Sequence, residues 1–202
     1  MHRSTRSSAL IAPLVVTVAC GGRSHATPPP PAGRDEPPAV PPVASHTPAA
    51  APSRDTSWLT VDNATRTTTM ALVVTRPEGA ASALINGFRA GEVRAVVPLG
   101  WTVKWNWRND DGTEPHSLVV MTQREKIPLE GGRAAFSNAM SRMVTAGLAR
   151  SQTDQTTFEA DEAGWYWLLC GVPGHALNGE WIELQVSPDA KTASIQVKQS
   201  RP

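Results

Sequence analysis

Gly164-Trp165-Tyr166-Trp167-Leu168-Leu169-Cys170-Gly171-Val172-Pro173-Gly174-His175 is the stretch from which the rest of the chain can be read. Its first half has strand length and is apolar on both faces. Tyr166, Leu168 and Cys170 point one way, and Trp165, Trp167 and Leu169 the other. A strand with two apolar faces belongs in the middle of a sheet. The second half is a tight Gly/Pro loop that separates a thiol from an imidazole by four residues, and Trp181 to Val186 then reads as the next strand. Roughly fifty residues earlier, His116 opens a strand over Ser117 to Met121. Two imidazoles and one thiolate make a trigonal His₂Cys donor set, which suits copper in both oxidation states. The loop brings sulfur and nitrogen to one ion, and the distant His116 locks that loop to the body of the fold.

The flanking sequence supplies that body. Trp101-Thr102-Val103-Lys104-Trp105-Asn106-Trp107 alternates apolar and polar residues, the pattern of a half-buried antiparallel strand. Further strands are expected over Thr69 to Thr75, Ser82 to Phe88, Glu92 to Val97 and Thr156 to Glu159, with turns at Pro77-Glu78-Gly79, Pro98-Leu99-Gly100 and Asn109 to Gly112. Phe136 to Leu148 is read as one short helix in a long connection. About eight short strands and no internal repeat point to an all-β Greek-key sandwich or barrel. Most of the tryptophans, at alternating strand positions, are expected in its core.

Composition bounds the rest. The chain has 202 residues and 18 prolines. Every aromatic residue lies between Trp58 and Trp181, so the foldable part is about 130 residues, enough to bury roughly two-thirds of its unfolded surface. Residues 58–190 are assigned to this domain and 191–202 to a C-terminal tail. A formal charge of +1 gives no electrostatic reason to expect nucleic acid, and no apolar run is long enough to span a membrane as a helix. At the N-terminus, Arg3 and Arg6 precede an apolar run from Ala9 to Ala19, which reads as an export signal over residues 1–19. Val18-Ala19-Cys20-Gly21 resembles a bacterial lipobox, with Thr17 departing from the usual aliphatic residue; the alternative is a plain signal with an incidental cysteine. Lipidation of Cys20 would place the protein in the bacterial cell envelope, on the periplasmic side or at the cell surface. The Pro- and Ala-rich residues 20–57 would then be an extended spacer with a reach on the order of 100 Å. Cys170 would be the single thiol of the folded domain, kept either buried and inert or held by a metal.

The segment 164–175 resembles the copper-binding stretch of the cupredoxins, with their Gly-x-Tyr-x-x-x-Cys lead-in and Cys-x-x-Pro-Gly-His loop. Pro115-His116-Ser117-Leu118-Val119-Val120 resembles their first-histidine strand. With Val97-Pro98-Leu99-Gly100-Trp101 and the spacing after Cys170, the likeness is to sulfocyanin and its rusticyanin-like relatives, over roughly Thr69 to Ser187. The resemblance implies an eight-stranded Greek-key sandwich with one copper ion held by His116, Cys170 and His175. It further implies a monomeric electron carrier, not an enzyme, passing single electrons between respiratory or other redox proteins. A two-copper variant of this loop needs a second cysteine, and position 174 is Gly.

One position departs from the family. The weak axial ligand should be a methionine five residues after His175, but that residue is Glu180, and no methionine follows Cys170. Two readings stand. If Glu180 binds the metal, its hard anionic oxygen favours Cu(II), lowers the reduction potential and moves the colour from blue toward green or red. If Glu180 faces solvent, copper is left three-coordinate or bound to water. The first reading also keeps open a copper protein that is no relay, such as a chaperone, a sensor or a nitric-oxide-reactive centre. It keeps zinc open too, since His₂Cys plus carboxylate fits a tetrahedral site. Ser117 is expected to tie the two ligand loops together, and Val172, Pro173, Ala176 and Leu177 to surround the edge of His175.

Overall fold

A computed structural model describes residues 55–198. Ten strands form two sheets: β1 (Leu59–Asp62), β2 (Thr67–Thr75), β3 (Leu84–Ile85), β4 (Val93–Pro98), β5 (Thr102–Asn109), β6 (Val119–Thr122), β7 (Thr153–Glu159), β8 (Gly164–Leu169), β9 (Trp181–Ser187) and β10 (Ser194–Val197). One sheet has the order β1-β2-β5-β7, with β3 added on β2; the other runs β10-β4-β9-β8-β6. The all-β sandwich expected from the sequence is what the chain forms. The short strands β1 and β10 lie outside the expected set. β10 falls within the stretch read as a tail, where it pairs with β4.

Alternation drives the packing. In β5, Val103, Trp105, Trp107 and Asn109 turn inward and the residues between them do not. Trp105 meets Phe158 edge-on at 5.6 Å, Phe158 stacks on Phe136 at 5.4 Å, and Phe136 packs on Tyr166 at 4.7 Å, so one aromatic column joins the two sheets. Burying such rings is the largest single contribution a side chain makes to a core of this size. Two tryptophans depart from this: Trp181 is partly buried, and Trp165 is 42% exposed, with Arg94 stacked 4.3 Å over its ring.

β8 lies between β9 and β6, an interior position of the kind that its two apolar faces call for. Tyr166 and Leu168 join the main core, while Trp167 and Leu169 join a second cluster with Val119 and Ala176. β5 pairs antiparallel with β7 but parallel with β2, Val74 facing Asn109. That parallel register brings the C-terminal ends of β2 and β5 to the same end of the sheet, beside the site described below.

The helix expected over 136–148 does not form, and no helix occurs among the described residues. Asn138 and Met143 hold positive φ of 65° and 54°, and the segment spends its backbone groups on the edge of the second sheet. Ser141 N–H donates to Leu118 O, Val120 N–H to Ala139 O, and His116 and Leu148 exchange both their bonds. Capping an exposed edge strand in this way satisfies backbone groups that a helix would have left open. Gly147 is needed there, because its φ is +75° and a Cβ would stand 2.9 Å from His116 N.

Candidate metal centre

The antiparallel register of β6 and β8, Val119 opposite Leu169, sets the residues before β6 beside those after β8. His116 and Ser117 therefore meet Cys170 and Gly171 across 54 residues of chain. Ser117 Oγ accepts the Gly171 N–H at 2.9 Å and donates to Val144 O at 2.5 Å, and Ser117 N–H points at Cys170 Sγ from 3.4 Å. The hydroxyl ties the two ligand loops together.

The loop between β8 and β9 is held by its own backbone. Cys170 N–H donates to Glu180 O at 3.0 Å and closes the loop at its base. Gly174, at φ +85°, donates to Leu129 O, and Glu180 N–H returns to His175 O at 3.2 Å. This last turn swings Glu180 back over His175. The Glu180 side chain is only 2% exposed, so the solvent-facing alternative does not describe it.

Four donor atoms converge as a result. Cys170 Sγ lies 3.8 Å from His116 Nδ1 and 3.5 Å from His175 Nδ1, and the two Nδ1 atoms are 3.2 Å apart. Glu180 Oε1 is 2.8 Å from His116 Nδ1, and Oε2 is 3.3 Å from His175 Nδ1. All four expected donors lie within 4.8 Å of one another. Cys20 lies outside the described residues.

The electrostatics of the cluster call for a cation. His116 Nε2 is 2.8 Å from Asp111 Oδ2. Burial works against Asp111's charge, but bonds from His116, Thr113 and Arg76 overcome it and hold the carboxyl well below its usual range. An ionised carboxylate only accepts, so Nε2 carries the proton and donates it. In the neutral imidazole, Nδ1 then presents a lone pair to Glu180 Oε1, a buried oxygen that receives no hydrogen bond of acceptable geometry. Two acceptors at 2.8 Å repel unless a proton or a metal ion lies between them. Without metal, burial opposes a charged imidazole, yet Glu180 and Asp111 on either side raise the affinity of His116 for a proton. Glu180 is likewise penalised by burial but is held below its ordinary value by the two imidazoles. Burial, with Glu180's charge second, pushes the Cys170 thiol far up, against the pull of N–H groups from Ser117 and Val172. A divalent cation replaces these protons and relieves every conflict at once. His₂Cys with one carboxylate oxygen fits a single copper ion.

Three residues that the sequence does not point to complete the surroundings. Arg76, one residue beyond β2, donates to Asp111 Oδ2 at 2.9 Å and also pairs with Glu114. Asp111 is 1% exposed and Glu114 47%. Glu114 Oε2 in turn lies 3.6 Å from His175 Nε2. In sequence these are a residue before a turn proline and two members of a polar turn, with nothing to mark them as metal-site neighbours. At the outer face of the site His175 is partly exposed, Leu177 and Leu129 are exposed apolar residues, and Pro173 is exposed beside them.

Comparison with known proteins gives the chain a family. The sulfocyanin (SoxE) domain family matches residues 55–196. A sulfocyanin from Sulfolobus acidocaldarius is 28% identical over 109 residues, which is 50% of this chain and 54% of that protein. The chain thus spans about half the length of the curated relative it matches. Among solved structures, a 2.1 Å structure of the copper protein rusticyanin aligns with a TM-score of 0.41 and 19% identity, covering 64% of this chain and 88% of that one. Rusticyanin from Thiobacillus ferrooxidans at 1.27 Å gives 0.40 and 19%, covering 60% and 82%. With the match to the family extending over the whole sandwich, and the cupredoxin donor set assembled inside it, the chain belongs to the sulfocyanin family of cupredoxins.

Proposed function

We propose that the protein is a one-electron carrier of the bacterial cell envelope, anchored through lipidated Cys20 and the Pro-rich residues 20–57, and that it passes electrons between respiratory partners. The observation that carries this reading is the buried, backbone-held His116–Cys170–His175–Glu180 cluster with one imidazole at the surface. Bound copper would supply the Cu(II)/Cu(I) couple. The protein's part is to hold four donors in place so that little moves when the charge changes. The strand register, the Ser117 bridge and the Cys170–Glu180 backbone bond do that. His175, amid Pro173, Leu177 and Leu129, is the edge through which an electron leaves toward a docked partner.

The test is voltammetry and self-exchange on the copper-loaded chain. A reversible one-electron couple with fast self-exchange supports a relay. Slow exchange, or copper readily lost to a chelator, supports the other reading that Glu180 keeps open, a copper chaperone, sensor or nitric-oxide-reactive site. The anchor has its own test: Cys20→Ser should move the protein from the membrane fraction to the soluble one. Unchanged fractionation contradicts the anchor.

A further inference from the structure

Behind the donor cluster, both ligand histidines end on carboxylates, and one arginine joins those carboxylates. His116 Nε2 meets Asp111, His175 Nε2 approaches Glu114, and the Arg76 guanidinium bonds to both acids while its third nitrogen donates to Ala81 O at 3.1 Å. Asp111, Glu114 and His116 are spaced closely enough to suggest a second cation site. Arg76 already occupies that role, since its guanidinium bonds to both carboxylates. The fold puts it there. The parallel pairing of β2 and β5 ends both strands at one end of the sheet, so Arg76 and Asp111 meet although they are 35 residues apart.

We propose that Arg76 is a positioning residue for the metal centre: by partly offsetting the charge of Asp111 and Glu114 together, it limits how strongly the two histidines donate and so sets the balance between Cu(II) and Cu(I). This rests on the centre being a copper site. A carboxylate that accepts an imidazole N–H makes the other ring nitrogen a stronger donor, which favours the higher oxidation state. A guanidinium bonded to that carboxylate withdraws part of the effect. Charge acts in the same direction. Cu(II) with one thiolate and one carboxylate is neutral and Cu(I) carries one negative charge, so a nearby cation favours Cu(I). Arg76 therefore raises the potential, and Asp111 and Glu114 lower it. Asp111 has the larger effect of the two, being buried and in direct contact, whereas Glu114 is half exposed and 3.6 Å away.

The experiment measures Cu(II) and Cu(I) affinities separately, by chelator competition, on the full chain and its variants, with unfolding temperature recorded for each. Arg76→Gln should shift the ratio of the two affinities toward Cu(II) by roughly tenfold, equivalent to about 59 mV in a one-electron couple. Arg76→Lys, which keeps the charge, should recover most of that shift. Asp111→Asn should move the ratio toward Cu(I), and Glu114→Gln should do so by less. A lowered unfolding temperature for Arg76→Gln with an unchanged ratio would make Arg76 merely structural and overturn the proposal. So would a shift of the same sign in the arginine and carboxylate variants. If Arg76→Gln does not fold, the exposed Glu114→Gln decides, an unchanged ratio counting against the proposal. A wild-type chain that binds both ions but passes electrons slowly contradicts the relay and leaves this ratio test intact. A chain that binds neither ion overturns both.

Discussion

His116 and His175 offer the same Nδ1 atom to the same cluster, yet they are held in opposite ways. The side chain of His116 has no exposed surface, its Nε2 is bonded to a buried carboxylate, and its backbone is sewn to Leu148. The side chain of His175 is 13% exposed, sits in a loop, and has only a half-exposed glutamate near its Nε2. The first is an anchor, with its tautomer and orientation fixed by Asp111. The second is a terminal, fixed by the loop around it and open at the edge. One centre can be rigid and still communicate with the outside because these requirements fall on different residues.

The largest effect should come from removing what the two histidines share. Cys170→Ser should abolish the sulfur-to-copper charge-transfer absorption entirely while leaving the β spectrum in circular dichroism intact. Surviving colour would mean that the histidines act around some other sulfur. Next in size is a rescue experiment. His175→Gly should regain its copper spectrum when imidazole is added, because the missing ring adjoins solvent, whereas His116→Gly should not. Equal rescue would erase the distinction between anchor and terminal.

The acids behind the rings should separate by stability. Asp111→Ala breaks a buried hydrogen-bonded charge network and should cost about 3–5 kcal/mol in chemical denaturation. Glu114→Ala removes an exposed partner and should cost about 0–1 kcal/mol. The smallest effect concerns pH in the metal-free protein. His116 holds its proton above the ordinary 6.5, so its pairing stabilises the fold fully below that pH and is lost as pH rises through the folded value. Glu180 is depressed below its ordinary 4.5, so its contribution is lost in acid. The unfolding temperature of the metal-free chain should therefore fall as pH rises past 6.5, and bound metal should remove that fall by replacing the proton. A metal-free chain whose unfolding temperature is flat across this range would argue against the paired arrangement.

The sequence exposes one side of the centre far better than the other. Cys170, His175 and Glu180 share a short loop whose backbone does most of the positioning, so spacing alone brings them near one another. The alternation from Trp101 to Trp107 likewise carries β5, because burial on one face of a strand leaves a period-two trace. Asp111 and Arg76 leave no such trace. Their meeting depends on a parallel register between strands far apart in the chain, which no local pattern records. The segment 136–148 misleads for a related reason. Its apolar residues suit a helix locally, but the bare edge of β6 competes for the same backbone groups and wins.

The central claim is that Glu180 completes the donor set, and electron paramagnetic resonance of the Cu(II)-loaded chain against Glu180→Met tests it most directly. The expected result is a green or red wild-type protein with a tetragonally distorted spectrum, turning blue and more nearly trigonal once the carboxylate is replaced by a thioether. Identical blue spectra from both proteins would contradict the claim and remove Glu180 from the coordination sphere.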